Sequence, residues 1–162
     1  MAFELTSKDI EHNQRLPDAQ VLNAMGYNGA NQSPHLAWKG APEGTRSFVV
    51  TCYDPDAPTG SGWWHWVIAN IPENVSELPT GAGSTGGALP GGALQTRTDF
   101  GSPGYGGAAP PPGRDHRYVF TVHALKVDKL DVGADASAAM VGFLTHMNSI
   151  GKAEIVTRFG GA

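Results

Sequence analysis

Asp54-Pro55-Asp56-Ala57-Pro58 and, a few residues on, Gly62-Trp63-Trp64-His65-Trp66-Val67 put two carboxylates among prolines and a histidine among indoles. Proline restricts the backbone and tryptophan is costly to leave in water, so the pattern describes a rigid, partly apolar site. Further along, Tyr105-Gly106-Gly107, Pro110-Pro111-Pro112-Gly113 and His116-Arg117-Tyr118 add a second histidine and a phenol at the start of an apolar run. The two clusters are expected to meet in space. Asp54 and Asp56 point to one side if the backbone there stays extended, and a carboxylate facing a histidine fixes its tautomer and raises its proton affinity. His116 and Tyr118 at i, i+2 share a side of a strand and, with His65, form a set of groups suited to an oxyanion. Turn formation is the competing use of both aspartates. Scattered single ligands without a short spacing make a metal the weaker reading, and no metal or cofactor is expected.

Strands must position these groups. Segments 48–53, 66–71 and 118–125 are rich in β-branched and aromatic residues, and each borders a cluster. In the last, Tyr118, Phe120, Val122 and Ala124 alternate with Val119, Thr121, His123 and Leu125, as an inner strand with both faces largely buried would. The same alternation places Val67 and Ala69 on the face of His65, with Trp66 and Ile68 opposite. One helix is expected near the end, where Met140, Phe143, Leu144 and Met147 form an apolar stripe between an Asp135 N-cap and a Gly151 stop. A last strand follows from the alternation of Ile155, Thr157 and Phe159 with Glu154, Val156 and Arg158. The fold class is mostly β and mainly antiparallel.

Residues 81–113 hold 11 of the 22 glycines and five of the 12 prolines. The parts on either side are too small to be separate domains, so this is expected to be an ordered loop that wraps one end of the sheet, anchored by Phe100 and Tyr105. Within it Gly81-Ala82-Gly83-Ser84-Thr85-Gly86 fits GxGxxG by chance, since neither a strand precedes it nor a helix follows. No GxSxG, Walker A, HExxH or paired CxxC pattern occurs. One of Trp63 and Trp64 is expected in a pocket wall, while His12, His35, His123 and His146 receive no role.

At 162 residues the chain is expected to form a single domain, 1–162. A net charge of −4 without a basic run excludes nucleic acid as an expected partner. Cys52, the single cysteine, reads as a small buried hydrophobe. Neither a secretory signal nor an apolar stretch of bilayer length is evident, so a cytoplasmic protein without stable membrane insertion is expected. The sequons at Asn31 and Asn74 would matter only in a secreted chain.

Ser33-Pro34-His35-Leu36-Ala37-Trp38, Phe48, Asp54-Pro55-Asp56-Ala57-Pro58, Trp64-His65-Trp66-Val67, Asn70-Ile71-Pro72, Asp99-Phe100-Gly101, Gly104-Tyr105-Gly106-Gly107 and His116-Arg117-Tyr118 follow one another in this order. In this the chain resembles the phosphatidylethanolamine-binding protein family, in its bacterial Raf-kinase-inhibitor-like branch. The resemblance implies two antiparallel β-sheets with a C-terminal helix, a long Gly/Pro-rich pocket loop and a pocket for phosphate-like groups. It places Asp54, Asp56, Pro58, His65, His116 and Tyr118 in that pocket, with Pro110, Pro111 and Pro112 at the rim. It also implies that bacterial members can be homodimers. The chain departs from the family at Ala108, where proline is usual, at Ala109, and in the short Arg114-Asp115 link, which bears on ligand preference.

Function is therefore expected to be the binding of a phosphoryl or phosphoethanolamine-like ligand, with His65, His116, Tyr118 and loop amides as its contacts. By family analogy alone, a regulatory or inhibitory role toward a protein kinase or protease accompanies it. The alternative is a hydrolase or phosphoryl-transfer enzyme using His65 or His116 as general acid/base. Ser61 and Ser102 lack a nucleophile context, which favours binding over catalysis. A relic with a vacant pocket is the blandest reading.

Overall fold

A computed structural model describes residues 2–160. The alternating segments form β1 (Glu4–Thr6), β2 (Leu36–Lys39), β3 (Ser47–Asp54), β4 (Trp63–Pro72), β5 (Glu77–Leu78), β6 (Leu94–Gln95), β7 (Asp115–Leu125) and β8 (Ser149–Gly160), with one α-helix among the described residues, α1 (Ala138–Asn148), and a short 3-10 turn at Asp18–Gln20. Every pairing between these strands is antiparallel, in a small sheet ordered β1-β2-β5 and a large one ordered β6-β4-β3-β7-β8. Leu5, Leu36, Trp38 and Leu78 of the small sheet pack on Phe48, Val50, Ile68 and Phe120 of the large one, forming the main core. The opposite face of the large sheet carries a second cluster, Val49, Val67, Ala69 and Leu125, covered by Leu130, Ala138 and Val141. Burial from both sides explains why β3 and β4 read as nearly continuous apolar runs.

Strand β7 lies inside the sheet as expected, and Tyr118, Phe120, Val122 and Ala124 are buried in the main core. Its other face is only partly covered, since Val119 and His123 are half-buried.

The helix corrects three expectations. Its N-cap is Ser137, whose hydroxyl accepts from the Met140 N–H at 3.1 Å, whereas Asp135 lies outside and pairs with Arg97. It ends at Asn148, and Gly151 sits within β8, where a Cβ would come within 2.8 Å of Pro42. Three of the four stripe residues face outward, Met140, Phe143 and Met147 being 51%, 60% and 62% exposed, while Leu144 is half-buried against the second cluster. Ala138, Val141 and Thr145 take the buried face instead.

The glycine-rich segment is tied down along its length. The Trp66 indole N–H donates to Gln95 Oε1 at 2.7 Å, and the Tyr105 hydroxyl donates to the Gln20 carbonyl at 2.7 Å. Gly83, inside the GxGxxG match, lies against the Trp66 ring, with no space for a Cβ.

Candidate functional site

Strand β3 ends where its antiparallel neighbours β4 and β7 begin, and the residues there bring Asp54, His65, His116 and Tyr118 to one cavity. His116 and Tyr118 reach it through plain alternation along β7. His65 does not. In the β3/β4 ladder Cys52 pairs with Trp66 and Tyr53 with Trp64, so His65 is the extra residue of a β-bulge. The bulge turns His65 onto the inner face beside Trp66, whereas uninterrupted alternation would have placed it with Val67 and Ala69. Its ring lies edge-on to Tyr118 and to Phe100, with centroids 5.2 and 5.5 Å away. Loop groups satisfy the backbone that the bulge frees: Trp64 N–H donates to Asp99 Oδ2 at 2.7 Å, and Gly106 N–H donates to the His65 carbonyl at 3.0 Å.

Asp54 and His116 form a buried pair, Nδ1 to Oδ2 at 2.7 Å, with the two side chains 3% and 4% exposed. The other Asp54 oxygen accepts the Asp56 N–H at 2.8 Å. A carboxylate only accepts, so Nδ1 of His116 carries hydrogen and its Nε2 is left for the cavity. His65 is set the same way, because Nδ1 donates to the Gly106 carbonyl at 2.7 Å. Burial lowers the proton affinity of His65, against the opposing pull of the Gly106 carbonyl, Asp54, the Gly107 carbonyl and Asp99. Burial, and then the charge of Asp54, raises the Tyr118 phenol, which keeps its proton.

The cavity holds about 180 Å³ and is walled by Met25, Trp63, Phe100, Pro110 and Pro111 around the polar floor. Of the expected residues, Asp54, Pro58, His65, Pro111, His116 and Tyr118 line it. Asp56 does not. Its carboxylate accepts from Arg117 Nε and Nη2, each at 2.9 Å, and from the Arg117 backbone N–H at 2.9 Å. That guanidinium holds the Asp56 carboxyl well below the usual carboxylate range. The pair's contribution to stability is complete above the ordinary carboxylate pKa and is lost as pH falls through the depressed value. Arg114 donates to the Asp56 carbonyl at 3.2 Å and lines no part of the cavity.

Loop amides are expected to face an anion, but three of them are used within the fold. Gly106 N–H goes to His65, Gly107 N–H to Asn31 Oδ1 at 2.7 Å, and Tyr105 N–H to the Gly83 carbonyl. Of the walls, Trp63 was anticipated as one of two choices. Phe100 sits in a recognisable Asp-Phe-Gly segment, while nothing around Met25 signals a site.

A family model described as phosphatidylethanolamine-binding protein matches residues 6–160. The chain is 58% identical over 157 residues to the UPF0098 protein YbhB of Escherichia coli (strain K12), covering 97% of this chain and 99% of that protein. It is 51% identical over 156 residues to the UPF0098 protein YbcL of the same strain, covering 95% and 85%. The crystal structure of E. coli YbcL, described as a new member of the mammalian PEBP family, superposes with a TM-score of 0.97 at 48% identity, covering both chains completely. A putative PEBP homolog from Chlamydia trachomatis, CT736, gives a TM-score of 0.81 at 25% identity over 99% of each chain.

Proposed function

The chain belongs to the phosphatidylethanolamine-binding protein family, and from that premise we propose that its cavity holds the phosphoryl group of a small ligand such as phosphoethanolamine. The convergence of His65, His116 and Tyr118 on the floor of one cavity of about 180 Å³ carries this reading. Both Asp54 oxygens are engaged by His116 and the Asp56 N–H, and these hydrogen bonds offset part of the repulsion between its charge and the ligand.

Calorimetric titration of inorganic phosphate and O-phosphoethanolamine tests it. The wild type and Asp56→Ala are expected to bind with similar affinity, and His116→Ala at least about tenfold more weakly. Absence of binding by the wild type would remove the reading. An Asp-paired histidine with a free Nε2 also suits a general base. Turnover of a phosphate ester that disappears in His116→Ala would replace binding with catalysis.

Regulation of a kinase or protease follows from family analogy, and inhibition assays with the purified chain decide it. The cytoplasm is the proposed compartment, and fractionation of a tagged chain checks this; no helix among the described residues is long and apolar enough to cross a membrane. We assign the outward stripe Met140, Phe143 and Met147 to a contact with a second copy, because large apolar side chains are rarely left clustered in water. Light scattering is expected to give a dimer mass for the wild type and a monomer mass for Phe143→Asp. A monomeric wild type would refute that assignment.

A further inference from the structure

Two properties of the cavity limit which oxyanion it can hold. No lysine or arginine lines it among the described residues, so it offers no fixed cation, and the His116 imidazole donates its Nδ1–H to the buried Asp54 carboxylate and presents Nε2 to the cavity. The Gly106 carbonyl also holds the only hydrogen of neutral His65 at Nδ1. Nε2 of His65 is therefore a bare lone pair with no hydrogen-bond partner among the described residues, at a buried ring that lines the cavity. A fully ionised oxyanion placed there would set a negative oxygen against that lone pair.

We infer that the cavity selects its ligand by protonation: it takes a phosphate monoester in its singly charged form, whose P–OH donates to His65 Nε2, and discriminates against sulfate esters of the same shape. The inference rests on the cavity being an oxyanion site. Phosphate esters keep or regain one proton near neutrality, with a second pKa of about 6, whereas sulfate esters have none to offer.

The groups that face His65 from the surrounding elements agree with this assignment. Asp54 from β3 and Asp99 with the Gly106 and Gly107 carbonyls from the loop are acceptors, Tyr118 from β7 is an acid that keeps its proton, and His116 from β7 has Nδ1 paired with Asp54 and Nε2 toward the cavity. None is a lysine or arginine. Burial dominates for His65 and keeps it neutral to lower pH than usual, preserving its acceptor role where the monoanion is abundant.

Calorimetry of ethyl phosphate against ethyl sulfate, at pH 6 and pH 8 in buffers of different ionisation enthalpy, tests the inference. Ethyl phosphate is expected to bind at least about tenfold more tightly than ethyl sulfate at pH 6. Its affinity should fall about 50-fold by pH 8, with uptake approaching one proton, because the monoanion fraction falls by that factor above a pKa of about 6. Equal binding of the two esters, with any proton count, would overturn the selection and leave the oxyanion reading intact. Binding of neither would remove both. His65→Gln can turn an amide N–H toward the cavity, and it is expected to bind the two esters with nearly equal affinity. A His65→Gln chain that binds and keeps the full preference would overturn the assignment to this side chain.

Discussion

Asp54→Ala is expected to lose about 3–5 kcal/mol of unfolding free energy, together with anion binding. The carboxylate is buried and holds two groups at once, the His116 Nδ1–H and the Asp56 N–H. Removing it leaves a buried imidazole and a backbone donor without acceptors, and a buried polar group that loses its partner costs its full desolvation. His116 is also freed to change tautomer, so its Nε2 no longer has a defined role at the cavity. Asp54→Asn keeps an acceptor for one of the two donors and is expected to lose less. Urea unfolding measures both. A loss below about 1 kcal/mol for Asp54→Ala would mean that water replaces the carboxylate and that the pair does not hold the site together.

Gly107→Ala is expected to lower the melting temperature by about 6–12 °C, the equivalent of about 3 kcal/mol in a chain of this size. A Cβ at Gly107 would lie 2.3 Å from the Gln20 carbonyl oxygen, 2.6 Å from the Leu22 nitrogen and 2.7 Å from the Val21 carbonyl carbon. All three are backbone atoms and cannot swing aside. They belong to the stretch on which the loop rests, through the Leu22 N–H donating to the Ala108 carbonyl and the Tyr105 hydroxyl donating to Gln20. Moving residues 105–108 would withdraw the Gly106 carbonyl from His65, so binding should weaken with stability. Gly91→Ala is the control, because a Cβ there meets nothing within 4 Å. Equal melting of the two variants would show that the loop shifts freely and does not brace His65.

Much of the layout was legible along the chain because strands repeat every two residues. His116 and Tyr118 share a face since β7 runs without a break from Asp115 through Ala124 in its pairing with β8. The same rule fails at Asp56, where the chain has left β3 and turns: Asp54 accepts the Asp56 N–H, and the second carboxylate swings to Arg117. It fails again at His65, where one unpaired residue reverses the side-chain direction. Periodicity was also a poor guide to the helix, because it locates an apolar stripe without saying whether the neighbouring surface has room for it. Val141 packs in the second cluster with Leu144 half-buried against it, and Thr145 is buried, while Phe143 stays in solvent.

Residue composition and alternation were enough to establish a mostly β chain, to set out its main strands and to mark two clusters of chemical groups around residues 54–66 and 105–118. Those features are local and written in nearest neighbours. Which clustered groups share a cavity, which nitrogen of each imidazole is free, and where the loop amides are used depend on contacts between residues far apart in sequence. His65 meets Gly106, His116 meets Asp54 and Gly107 meets Asn31 only after the sheet and loop have closed on each other. A one-residue bulge and the room beside a backbone are settled by packing, which no local pattern encodes.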